Sequence, residues 1–220
     1  RQLSKGQYAT VKGIVTFKDS NNNYFIQDET AAIDIYQRGQ NLGLEIGDEV
    51  VVTGKLDDYE GLEEIIPDNI NDVIIVSRGN KLPEPKLVTF KDIKTGNYEC
   101  QRIKVEKVYL GQTNGYNTTI TDLSGETLVI YKMPDLTDIK EGDLVDIIGF
   151  GSIHKGTYQL RVYSADDITK TDLGPDEKAP VIEHEPINEA NINSDLEKAK
   201  VSDDREVKEV KMFYRTKGET

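Results

Sequence analysis

The segment Gly47-Asp48-Glu49-Val50-Val51-Val52-Thr53-Gly54 returns 95 residues later as Gly142-Asp143-Leu144-Val145-Asp146-Ile147-Ile148-Gly149. Tyr36 returns as Tyr131 at that offset, Gly61 as Gly156, and Asn71-Asp72-Val73 as Asp166-Asp167-Ile168. Ile26-Gln27-Asp28 returns as Ile120-Thr121-Asp122 at an offset of 94, with one residue added in the turn from Leu123 to Thr127. Agreement at so many spaced positions marks an internal repeat, and a repeat unit of this length is a small domain.

Each unit reads as β. Val11, Gly13 and Val15 alternate with Thr10, Lys12 and Ile14; Ile33 and Ile35 with Asp34 and Tyr36; Val50, Val52 and Gly54 with Val51 and Thr53. Period-two alternation marks a strand with one buried face. Asn, Asp and Gly supply turns at Asp19 to Asn23, Asp28 to Ala31 and Ile46 to Asp48. In the second unit strands are expected at 101–110, 116–121, 127–131, 144–150 and 159–163. Five short strands with a longer link between the third and fourth predict a closed Greek-key barrel. Gly13, Gly54 and Gly149 are placed to let strands coil round its corners. Lys104 or Val105 stands where the second unit would need the counterpart of Gly13, so that strand bends less or elsewhere.

Composition fits two small cores better than one large one. Of 220 residues, 36% are hydrophobic and 30% charged. No run approaches the ~18 apolar residues of a membrane helix, which excludes a helical span. The formal net charge of -13 sets the surface as a whole against a phosphate backbone, leaving only a local basic or aromatic patch for nucleic acid. One cysteine, Cys100, cannot make an internal disulfide and leaves the compartment undecided. The chain opens at Arg1 with no basic and apolar leader and stops at Thr220, just past a strand-like run from Val207 to Tyr214. It is expected to be a piece of a longer protein.

Catalytic chemistry is hard to find. The two histidines, His154 and His184, fall in different units and read as surface residues rather than ligands. No nucleophile elbow, zinc-protease, phosphate-loop or dinucleotide motif occurs. Asp166-Asp167 and Asp203-Asp204 lack the grammar of a calcium loop and read as solvated turns. A nuclease site on the barrel needs carboxylates for a cation and arginines for the phosphoryl charge. The first unit offers Asp34, Arg38 and Glu45, but the next arginine, Arg78, lies in the linker, and Met133 replaces Arg38 in the second unit. No metal or cofactor is expected.

The strings Val11-Lys12-Gly13-Ile14-Val15-Thr16, Tyr24 to Thr30 and Gly47 to Leu56 resemble the OB-fold modules attached to extracellular nucleases and metallophosphoesterases of Gram-positive-like bacteria. The resemblance covers Gln7 to Ser77 well and Tyr98 to Ile168 more loosely. It implies an all-β chain of two tandem five-stranded barrels, at 1–77 and 98–170. A linker and lead-in at 78–97 joins them, with Leu87 to Ile93 packing on the second barrel and the barrels touching through this segment. From about Asp176, Ala179-Pro180-Val181-Ile182-Glu183-His184 and the run 201–214 are similar to the first half of bacterial Ig-like domains. Residues 171–220 are therefore expected to hold an acidic linker and an incomplete Ig-like domain, half of whose ~100-residue sandwich is missing. Disorder over 172–190 is an open alternative.

OB barrels take ligands across their second and third strands. Tyr24 and Ile26 share one side of strand two, and Ile26 is expected in the core. That puts Phe25 and Gln27 on the exposed side, joined by Tyr36 and Tyr59, with Lys12 and Lys18 adding charge. Tyr116, Tyr131 and Tyr158 provide a weaker counterpart in the second unit. Exposed rings beside lysines make a stacking platform for single-stranded nucleic acid. In the alternative reading Phe25 and Tyr36 cover the barrel or pack on the other unit. The function expected is a non-catalytic accessory region of a larger secreted hydrolase, weakly binding or positioning single-stranded nucleic acid or nucleotide for a catalytic domain of the same chain. A structural spacer or a protein- or glycan-interaction module at the cell surface is the alternative. The oligomeric state is left open.

Overall fold

The computed structural model describes residues 4–21, 23–37, 40–174, 179–184, 199–203, 207 and 209–211. The first sheet contains β1 (Tyr8–Lys18), β2 (Asn23–Gln27), β3 (Ala32–Tyr36), β4 (Glu49–Tyr59), β5 (Leu62–Ile66) and β6 (Val73–Ser77). Its order is β1-β2-β3-β5-β4, and pairing of β4 back onto β1 closes it. The second sheet begins with β7 (Lys86–Leu87), which is followed by a one-turn helix α1 (Phe90–Ile93) and pairs parallel to β8 (Arg102–Asn114). It also contains β9 (Asn117–Thr121), β10 (Thr127–Tyr131), β11 (Leu144–His154), β12 (Thr157–Arg161) and β13 (Ile168–Lys170). The order β8-β9-β10-β12-β11, closed by β11 on β8, repeats the first. These are two OB-fold barrels. Ile35 pairs with Ile65 in the first and Ile130 with Leu160 in the second, so the registers correspond as well.

The shared motifs are turn chemistry. The amide of Gly47 donates to Val15 O at 2.9 Å and that of Gly142 to Leu110 O at 2.7 Å. Asp48 Oδ2 accepts from the Glu45 amide at 3.0 Å, and Asp143 Oδ2 from the Lys140 amide at 2.8 Å. Both glycines have positive φ, +87° and +90°, which a side chain would strain. Asp28 and Asp122 likewise fold their hairpins by accepting backbone amides, and Asp72 and Asp167 complete matching capping boxes.

The corner glycines sit where strands cross closely. A Cβ on Gly54 would lie 2.5 Å from Ile66 O, and one on Gly149 2.9 Å from Arg161 O. The counterpart of Gly13 is Val108 rather than Lys104 or Val105, since Val108 pairs with Val145 as Gly13 does with Val50, and β8 bends at a bulge beside it. Val105 faces Ile147 and Val108 faces Val145, so two residues stand against Asp146. Lys107 takes φ +54° there, and its amide donates to Asp146 Oδ1 at 3.0 Å.

Residues up to Asp172 form one compact unit that holds both barrels. Phe90 and Ile93 plug the second barrel's core, as the lead-in was expected to do. The barrels meet chiefly elsewhere, through a seam in which Phe17, Phe25, Ala32 and Leu62 of the first pack on Cys100 and Phe150 of the second. The Phe17 and Phe25 rings stack at 4.7 Å, and Phe150 lies 5.3 Å from Phe17 and 6.0 Å from Phe25. Linker residues add a bond from Arg102 Nη1 to Pro83 O at 3.1 Å.

A separate C-terminal unit begins at Leu173. Its described part is an antiparallel pair, β14 (Val181–His184) with β15 (Ala199–Ser202). Val207 and residues 209–211 are not in strand, and the other half of the run to Tyr214 lies outside the described residues, as does most of the stretch on which Ig-like structure was expected.

Phe25 has no exposed surface. Phe25→Ala is expected to lower the unfolding free energy of the two-barrel unit by about 3–5 kcal/mol in urea denaturation, the usual cost of emptying a buried phenyl site. A change within about 0.5 kcal/mol, typical of surface substitutions, would contradict the buried seam.

Candidate nucleic-acid interface

Strand alternation sends Ile26 and Ile35 into the first barrel and turns Asn23, Phe25, Gln27, Asp34 and Tyr36 outward. Phe25 is fully buried and Gln27 almost so, against the stacking-platform expectation, and Phe25 packs on the other unit as the alternative reading had it. Outward on an OB barrel here means toward the other barrel. The amide of Arg102 donates to Gln27 Oε1 at 2.8 Å, which spends that side chain on the seam. The face expected to hold ligand is thus partly consumed in docking.

The rest of that face opens into a cleft of about 870 Å³ between the barrels. The first barrel contributes Asn23, Asp34, Tyr36, Tyr59, Leu62 and Glu64. The second contributes the register equivalents Asn117, Val129, Tyr131, His154, Thr157 and Gln159. The two potential ligand faces therefore confront each other across one space. Tyr59 and His154 close one side with ring centres 6.1 Å apart. Each precedes a hairpin turn with positive φ at both central residues, Glu60-Gly61 and Lys155-Gly156, and the Lys155 amide donates to Glu60 O at 2.7 Å.

Arg161 organises the polar side. Its Nη2 reaches Asp19 Oδ2 at 2.9 Å, with both side chains close to nine-tenths buried. Its guanidinium carbon stands 5.0 Å from the Phe17 ring centre and 5.4 Å from that of Tyr131. Burial pushes the Asp19 carboxyl up, but bonds from Arg161 and the Asn23 and Asn21 amides outweigh it and hold it below the usual range.

Asp34 and Glu64 face each other on adjacent parallel strands, and Glu64 faces Asp57 on β4. Asp34 is 1% exposed, and its Oδ1 has no hydrogen-bond partner. Burial, then the nearby Glu64 and Asp19, hold its carboxyl well above the usual range, with Arg161 opposing. Burial, then Asp57 and Asp58, push Glu64 up to about 7.

A second patch adjoins Tyr131. Tyr116 is 68% exposed and meets Tyr131 edge-on at 6.2 Å. Lys132 Nζ lies 5.5 Å from the Tyr116 ring centre and 5.4 Å from that of Tyr131. A groove of about 470 Å³ runs beside it, lined by Tyr116, Lys132 and Lys140.

Of the residues expected at the site, Tyr36, Tyr59 and Tyr131 line the cleft, and Tyr116 lies on the patch next to it. Tyr158 is half-buried against the second core and does not line the cleft. Lys12 pairs with Glu49 at 2.8 Å and Lys18 with Glu45, so neither serves the cleft. Of the nuclease candidates, Asp34 lines the cleft and Glu45 pairs with Lys18, while Arg38 lies outside the described residues. Among the described residues no three His, Cys, Asp or Glu side chains converge on a metal position. Sequence reasoning missed Arg161, Glu64, Gln159 and the Asn23–Asn117 pair. Extending the repeat alignment to polar residues would have flagged Asn23 with Asn117 and Glu64 with Gln159, whereas nothing local marks Arg161.

No family model matches the chain. It is 29% identical over 206 residues to endonuclease YhcR of Bacillus subtilis (strain 168), covering 84% of this chain and 17% of that protein. The chain thus spans under a fifth of that relative's length. Among solved structures, the barrels are similar to a murine DNA binding protein bound with double-stranded DNA, at 12% identity and TM-score 0.37, covering 79% of this chain and all of that one. Single-stranded DNA binding protein from Thermus aquaticus aligns at 12% identity and TM-score 0.23, covering 80% of this chain and 98% of that one. At TM-scores below 0.5 neither likeness bears on function.

Glu64 gives a stability test with a definite sign. Its ordinary value is 4.5 and its folded value about 7. The folded state therefore holds the proton more tightly, and this contribution is full below pH 4.5 and lost as pH rises through about 7. Urea midpoints of the native protein are expected to fall between pH 5 and pH 8. Glu64→Gln is expected to shrink that fall; an unchanged difference would show that Glu64 is ionised in the fold.

Proposed function

We propose that this chain is a non-catalytic accessory region of a larger secreted hydrolase of nuclease or metallophosphoesterase type, binding single-stranded nucleic acid or nucleotide weakly for a catalytic domain elsewhere in the same protein. The observation that carries it is the cluster of exposed Tyr116, half-buried Tyr131 and Lys132, two rings under one ammonium, opening onto a cleft lined by Tyr36 and Tyr59. Rings accept any base by stacking, and the lysine draws the backbone to a chain whose overall charge repels it. The relation to an endonuclease supports the parent's class. Sealing of Phe25 and Gln27 into the seam favours a second reading, a rigid spacer at the cell surface, because part of the first barrel's ligand face serves cohesion.

Titration of a fluorescent single-stranded 12-mer at low and moderate salt separates the two. Binding at tens of micromolar protein that weakens with salt is expected. Tyr116→Ala should weaken it about 5-fold or more, the usual loss of one stacking ring. Lys132→Ala should reduce the salt slope by about one. No binding at either salt would leave the spacer reading standing.

A further inference from the structure

The inter-barrel cleft contains acids that the fold does not need. Asp34 and Glu64 line it side by side on neighbouring strands, and Asp57, the neighbour of Glu64 on the next strand, lies outside it and pairs with Lys5 at 2.5 Å. Like charges in directly opposed positions are unfavourable, and a buried oxygen without a partner is more so. The second barrel provides an internal control. Its register equivalents of Asp34 and Glu64 are Val129 and Gln159, and it closes into the same barrel. Features that cost stability and that the architecture can dispense with collect where a ligand is handled.

The ligand's chemistry follows from what surrounds them. Lys155, on the cleft, and Lys132, against Tyr131, are exposed and attract phosphate to the rim, whereas Arg161 inside the cleft is already paired with Asp19. The Tyr36 and Tyr131 rings suit a flat heterocycle, and the amides of Asn117 and Gln159 suit its hydrogen-bonding edge, beside the Asn23 amide that donates to Asp19 Oδ2 at 3.1 Å. A carboxyl that keeps its proton is both donor and acceptor, which matches the adjacent acceptor and donor on a base edge. At about 870 Å³ the space is within the size range of small-ligand sites, roughly 300–1,000 Å³.

Building on the nucleic-acid reading above, we propose that the cleft between the barrels receives a single unpaired nucleotide base-first. The base edge meets the Asp34 and Glu64 carboxyls, and the phosphate stays at the lysine-bearing rim. The exposed Tyr116–Lys132 patch guides the strand, and the cleft holds one base.

NMR of the full chain tests this through the side-chain amides of Asn23, Asn117 and Gln159. Deoxyadenosine monophosphate should shift all three saturably. Deoxyribose 5-phosphate, which keeps sugar and phosphate but has no base, should bind at least about 10-fold more weakly. The double variant Asp34→Val, Glu64→Gln copies the second barrel's own residues and should weaken the mononucleotide about 10-fold. Unmoved cleft amides, or equal binding of the two phosphates, would overturn the proposal. If the 12-mer moves Tyr116 and Lys132 but not the cleft amides, the proposal falls and the nucleic-acid reading stands. If the 12-mer does not bind at all, that reading falls and takes the proposal with it.

Discussion

Burial of three phenyl rings between two closed barrels is the interaction from which the other features follow. An OB barrel presents its β2–β3 face outward, and Phe25 on that face is too apolar to remain in water at no cost. The second barrel covers it with Phe150, and Phe17 completes the stack. Once these rings are covered, the orientation of the barrels is set by direct bonds. Arg161 reaches across to Asp19, the Arg102 amide to Gln27, and the Lys155 amide to Glu60. Losing one partner of a buried ion pair such as Arg161–Asp19 typically costs about 3–5 kcal/mol.

Docking through corresponding faces has a consequence for chemistry. Equivalent residues meet across one space, so a sequence written twice yields a single two-walled cleft. The walls then diverge. The first retains Asp34 and Glu64, whereas the second has Val129 and Gln159 and adds Arg161. A symmetric pair of platforms would bind two like groups; this asymmetric pair gives a polar floor on one wall and a cation on the other.

Much of the fold was legible because the repeated residues are turn and corner residues, whose backbone demands are local. Gly47-Asp48 and Gly142-Asp143 form the same bonded turn, and Gly54 and Gly149 bend matching strands. The absence of a glycine matching Gly13 correctly suggested that β8 bends differently, although the counterpart is Val108 rather than Lys104 or Val105, and a bulge at Lys107 replaces the glycine. The site was less legible. Alternation separates the two sides of β2 but does not say which outward residues another domain will cover, so Phe25 and Gln27 were assigned to solvent. Arg161 reaches Asp19 across 142 residues of sequence and stands near enough to Asp34 to favour its charged form, and only the docking creates that neighbourhood.

The central claim is that the two barrels behave as one rigid body held by the phenyl seam. Residual dipolar couplings measured on the full chain test it directly. Couplings from 8–77 and from 102–170 should fit a single alignment tensor in the orientation described here. Two tensors of different magnitude and axes would mean independently moving barrels, and with them neither a lasting seam nor a shared cleft.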